Sequence, residues 1–255
     1  MTEVPNGAYS APVAALLSLG KPAASNRRAR PWNDYPARGI TEEHVPDLIR
    51  MATDEALNRE PDTSTGVWAP LHAWRALGQL GASAAVEPLL TLADQLDDDP
   101  WLADDLPVLM SMIGGATLPY LEGFLANADR TKGARVTIAS AVARIGQDHA
   151  DLAEDCRGVL RAQLVQHAQQ PAELNAAIVS ELIDLGASAD IDLIREAYSA
   201  DDVDLGVAGD IEEVEMELGL RSARTTAPPP LFVRAPDALR ARSEPVGGGG
   251  KQPTG

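Results

Sequence analysis

Aromatic residues are scarce in this 255-residue chain, at 4% (Phe 2, Tyr 4, Trp 4), although 45% of it is hydrophobic. Alanine and leucine supply most of that apolar mass. A β-sandwich draws on Val, Ile, Thr and Tyr, so this balance favours packed helices. A single cysteine, Cys156, excludes an intrachain disulfide and a thiolate zinc cage, and it suits a reducing compartment. No run approaches the ~20 consecutive apolar residues of a membrane-spanning helix. The short apolar stretch PVAALLSLG at 12–20 follows Glu3 and no Lys or Arg, so it lacks the positive start of an export signal. The expectation is a cytoplasmic protein that does not engage membranes. No His-Glu dipeptide occurs, and the four histidines (His44, His72, His149, His167) are scattered.

Basic residues are also few, 21 against 38 acidic, for a net charge of −17. They gather at the ends. Residues 39–220 carry 10 basic and 34 acidic residues, a net of −24, while both termini are basic. An acidic body repels a phosphate backbone, so nucleic acid is not an expected partner.

What is present in abundance is repetition. LGASAAVEPLL at 80–90 returns as LGASADIDLI at 185–194. Glycines recur at Gly81, Gly114, Gly146 and Gly186, each after an aliphatic residue (Leu80, Ile113, Ile145, Leu185). A further apolar residue stands three places before that (Leu77, Met110, Val142, Leu182). Apolar residues step by three and four before each glycine, as in Leu71, Trp74 and Leu77, and again after it, as in Val86, Leu89, Leu90 and Ala93. Each unit reads as helix, glycine turn, antiparallel helix, with all four glycines as turn residues. One helix pair cannot bury both its faces, and stacked pairs can.

This pattern, with Pro88-Leu89-Leu90 opening a second helix, resembles HEAT repeats over about residues 67–200. It is closest to the short Gly/Ala-rich form typified by phycobilisome lyases. Residues 198–219 also resemble the closing segment of bacterial HEAT-like proteins of unknown function. Some of those end in a cysteine-rich metal-binding tail, whereas TTAPPPLFVRAPDALRARSEPVGGGGKQPTG has no cysteine. The resemblance implies an all-α, right-handed α-solenoid of about four helix pairs and no fixed chemistry. The HEAT-like di-iron hydroxylases use His-Glu pairs and the HEAT-like DNA glycosylases a basic groove. Neither feature is present, so neither activity carries over.

The expected organisation is a capping segment (1–60), a repeat array (61–221) and a disordered Pro- and Gly-rich tail (222–255). In the capping segment, Ser10 caps a helix running to about Leu19, and Thr41 opens another. Among candidate chemical groups, Cys156 falls in step with Leu152 and Leu160, which makes it a core residue. Asp148, His149, Asp151 and Asp155 read as a solvated helix start rather than a metal site. Trp68, His72 and Trp74 could stack a planar ligand, but Trp74 shares the helical face of Leu71 and Leu77, which favours packing. Asp94, Asp97, Asp98 and Asp99 lack the spacing of an EF-hand loop and read as a solvated link between repeats. The functional expectation is a protein-binding scaffold without enzymatic activity, metal or cofactor. Its acidic surface (Glu87, Asp94, Asp97, Asp98, Asp99, Glu122, Asp192, Glu196) would meet a basic partner. The alternative implied by the resemblance is a lyase-type accessory that handles a tetrapyrrole or another cofactor with a second subunit.

Overall fold

The computed structural model describes residues 9–22, 32–61, 63–97 and 99–229. Among these it is entirely helical, without a strand. Helix α1 (Ala11–Ala14) continues as a 3-10 turn to Ser18. Thr41 begins the 3-10 turn Glu42–His44, and α2 (Val45–Ala52) and α3 (Glu55–Asn58) follow. Pro46 in the first turn of α2 does what a missing N–H allows, since the first helical amides have no intrahelical partner.

The body consists of α4 (Ala69–Gln79), α5 (Val86–Gln95), α6 (Pro100–Ile113), α7 (Leu118–Ala126), α8 (Lys132–Asp148), α9 (Ala153–Leu164), α10 (Ala172–Asp184) and α11 (Ile191–Ser199). Two short helices, α12 (Leu205–Ala208) and α13 (Ile211–Glu217), close it. Packing follows parity. Helix α2 lies against α4, α4 against α6, α6 against α8, α8 against α10 and α10 against α12. In the other row α5 meets α7, α7 meets α9, α9 meets α11 and α11 meets α13. One aliphatic core runs between the rows, from Val13 and Leu48 through Leu77, Leu106 and Ile138 to Leu182 and Val214.

The repeated phrase is a repeated joint. A 3-10 turn precedes each odd-row helix from α5 to α11: Ser83–Ala85, Gly115–Thr117, Ala150–Leu152 and Ser188–Asp190. At Gly81 the amide of Ala82 reaches the Leu77 carbonyl (3.0 Å) and Gly81 that of Gly78 (2.9 Å). At Gly186 the matching bonds run from Ala187 to Leu182 (3.0 Å) and from Gly186 to Ile183 (2.8 Å). This pairing ends a helix in a left-handed residue, and φ is 63° at Gly81 and 65° at Gly186. Gly114 also needs positive φ (89°), but with ψ −162° it is extended rather than left-handed.

Gly146 departs from the expectation. It lies inside α8, which runs two residues further to Asp148, and it is no turn residue. A Cβ there would stand 2.9 Å from Leu185 Cδ2 and 3.1 Å from Cys156 Cβ. Gly146 is a close-packing residue, the counterpart of Gly78, whose Cβ would meet Leu109 Cγ at 3.1 Å. The sequence reading grouped Gly146 with Gly81 because each follows an aliphatic residue, whereas RIGQ at 144–147 aligns with ALGQ at 76–79.

Ser10 holds its expected place before α1 without the expected side-chain bond, and the C-terminal boundary shifts. Ser10 does not cap α1 with its side chain; its amide donates to Asp47 Oδ2 (2.8 Å) and its buried hydroxyl has no partner among the described residues. The chain does not come loose at 222 either. Arg221, Arg224, Thr225 and Thr226 are bound to the start of α13. Residues 230–255, most of the expected disordered tail, lie outside the described residues, as do Arg234, Arg240 and Arg242.

Candidate functional site: carboxylates along the odd-row helices

Each odd-row helix carries at least one exposed carboxylate on its outer stripe, which on α7 also presents Tyr120. Their buried residues (Val86, Leu89 and Leu90 on α5; Leu121 and Leu125 on α7; Cys156 and Leu160 on α9; Ile194 and Ala197 on α11) occupy the opposite stripe. On the outer stripe stand Glu87 (α5), Glu122 (α7), Asp155 (α9) and Glu196 (α11), all exposed. None of the four side-chain carboxylates makes a hydrogen bond or ion pair with a described residue. Exposed carboxylates are well solvated and cost nothing to leave unpaired.

Three of the other acidic residues named for the acidic surface, Asp94, Asp99 and Asp192, are bound within the described residues. Asp94 accepts the Thr131 amide (2.8 Å) and pairs with Arg130 (3.2 Å), and these bonds hold its carboxyl below the usual range against the opposing effect of burial. Asp99 caps α6, accepting the amides of Trp101 (2.8 Å) and Leu102 (2.9 Å). The Asp97 backbone packs on Gly133 at the start of α8. Asp192 pairs with Arg195 one turn away (3.0 Å), and Asp98 lies outside the described residues. Of the acidic residues named from the sequence, Glu87, Glu122 and Glu196 are exposed with unpaired side chains among the described residues, and Asp155 shares that state.

Cys156 is buried, and desolvation pushes its thiol up to about 11, so it is an inert core residue at neutral pH. His149 turns Nε2 to the Ser111 carbonyl (2.9 Å), and Asp148 accepts from Arg144 and Ser111. Among the described residues no three His, Cys, Asp or Glu side chains converge in a metal-ligating group.

The sequence reading missed a buried polar seam on the even row. Helix α4 is buried from Ala69 to Gly78, on every face, because the N-terminal segment lies across it. Arg75 and Asp105, both about 1% exposed or less, form a two-bonded ion pair (2.6 and 3.0 Å) between α4 and α6. The Trp74 indole also donates to Asp105 (3.0 Å), and the Arg75 guanidinium stacks on Trp32 at 4.8 Å. His72 Nε2 faces the Gly20 carbonyl (2.9 Å), which can only accept, so Nε2–H donates to it and Nδ1 accepts a hydrogen bond from the Tyr35 hydroxyl (2.7 Å). Burial holds His72 below its usual pKa. The available signal was a charge inside an apolar stripe, Arg75 between Trp74 and Ala76, because buried charges come paired.

At the far end Glu212 accepts the Thr225 and Thr226 amides (both 3.0 Å) and hydroxyls, and Arg221 pairs with it and with Glu215. Hydrogen bonds from Thr225 and then Thr226 bring the Glu212 pKa down to about 2. Compared with protein-family models, curated proteins and solved structures, the chain matches none.

Proposed function

We propose that the chain is a non-enzymatic interaction scaffold. In this reading it is a right-handed α-solenoid of HEAT-like helix pairs whose odd-row surface engages a basic face on another protein. The observation that carries the proposal is the row of unmatched carboxylates, Glu87, Glu122, Asp155 and Glu196, one on each successive odd-row helix. Carboxylates already tied to arginine are satisfied, whereas these four are available to a partner. Repeat arrays use such extended faces for binding, and complementary charge acts chiefly on association rate and specificity.

The test is affinity purification with mass spectrometry, comparing the wild-type chain with a variant carrying glutamine or asparagine at all four positions. A partner with a basic face should be retained by the wild type and lost from the variant. Its association rate should fall between about 50 and about 500 mM salt. Equal retention by both proteins would remove these carboxylates from the interface. A coloured cofactor travelling with the chain would count against a plain scaffold.

A further inference from the structure

Trp68 ends the 3-10 turn before α4, and Trp101 sits in the first turn of α6. Their indoles meet edge to face, centroids 5.4 Å apart and planes at 75°. Both are half-buried and packed on the core, so the corner between them is held in place. The ammonium of Lys21 stands in that corner, 5.2 Å from the Trp68 ring and 5.6 Å from the Trp101 ring. Lys21 is exposed and makes no ion pair with a described residue.

An indole face attracts a cation through its quadrupole, and two indoles sharing one cation are a recognised way to select an ammonium. Yet holding an exposed lysine in one geometry costs side-chain freedom of similar size to the attraction. The occupant is therefore exchangeable. Asp104 stands one turn after Trp101 on α6, and its side chain makes no hydrogen bond or ion pair with a described residue. Desolvation, then the charge of Asp105, hold its carboxyl above the usual range. As the i+3 neighbour of Trp101, Asp104 shares that residue's side of α6, a position from which its carboxylate can pair with an entering cation.

We propose that the Trp68–Trp101 corner is a binding site for a lysine side chain of a partner protein, with Lys21 as its internal competitor. The corner is built at the starts of α4 and α6, apart from the carboxylates of the odd-row helices. It does not depend on the scaffold reading above.

The probe is the blocked tripeptide Gly-Lys-Gly, with a norleucine version as the neutral control. Binding to the full-length chain is followed through the indole N–H resonances of Trp68 and Trp101, with those of Trp32 and Trp74 as internal controls. The lysine peptide should move the first two signals and not the others. Lys21→Ala should bind it about threefold to tenfold more tightly than wild type, because a competing occupant lowers apparent affinity by the fraction of open sites. Adding Asp104→Asn to Lys21→Ala should weaken it again. Equal affinity for wild type and Lys21→Ala, equal response to norleucine, or no response in either protein would each overturn the proposal. None of these outcomes bears on the odd-row carboxylates.

Discussion

Arg75 and Asp105 show what a single charged residue does inside this apolar array. The guanidinium is satisfied on one side by the carboxylate and on its face by Trp32, and Trp74 adds a donor to the same carboxylate. Removing one partner leaves a buried charge without its counterion. Asp105→Ala should therefore lose about 3–5 kcal/mol in urea denaturation. A paired replacement, Arg75→Met with Asp105→Leu, should recover most of that loss, because an apolar pair of similar volume needs no countercharge. A double variant as unstable as the single one would show that the pair does more than fill and neutralise the seam. The apolar stripe around Arg75 was legible in the sequence. Its partner thirty residues away was not, since nothing local ties Arg75 to Asp105.

At the scale of elements, two glycines written alike in the sequence do different jobs. Gly186 needs a left-handed backbone and has open space around its missing side chain, with φ 65°. Gly146 has ordinary helical backbone and no space. Alanine at an unconstrained helical glycine stabilises by about 0.5–1 kcal/mol. Gly146→Ala should instead cost about 1–3 kcal/mol through overpacking against Leu185 and Cys156. Gly186→Ala should cost about 1–2 kcal/mol through backbone strain, with Gly186→Asn milder. Shortening the neighbour in Gly146→Ala/Leu185→Ala should relieve the first strain and leave the second untouched. Thermal melts of the four variants decide this. The helix–glycine–helix rhythm was visible because the 3.6-residue period and the left-handed cap are local. Whether a glycine makes room for a neighbour depends on which helix packs on it.

For the whole molecule, the first and last described segments are held to the helices by polar clasps. The N-terminal segment covers α4 through the Gly20–His72–Tyr35 chain of hydrogen bonds and through Gln79, which exchanges bonds with Asn33 and Tyr35. Deleting residues 1–40 should uncover α4, buried on every face, and abolish cooperative melting rather than trim a loop. At the other end Glu212 gathers Thr225, Thr226 and Arg221. Its folded pKa, about 2, lies below its ordinary value of 4.5. The bonds to Glu212 thus contribute fully above that ordinary value and are lost as pH falls toward about 2. Protection of the Thr225 and Thr226 amides from exchange should decline over that window in the wild type and be low throughout in Glu212→Gln. A chain ended after Thr226 should melt like the full chain, while one ended after Leu220 should melt lower. Identical melting of the two truncations would mean that the clasp carries no stability.

Composition and period by themselves determined that this chain is helical, that helices lie on either side of Gly81, Gly114 and Gly186, and that Cys156 and Trp74 belong to the core. Those properties follow from interactions within four residues along the chain and from the balance of apolar and charged groups. Only the tertiary structure decided that Gly146 packs rather than turns, that Asp94 is tied to Arg130 and Thr131 while Glu87, Glu122, Asp155 and Glu196 face solvent unpaired, and that Lys21 lies between Trp68 and Trp101. In each case the deciding partner is more than thirty residues away or the deciding fact is which face of a helix meets solvent. Local propensity carries no information about either.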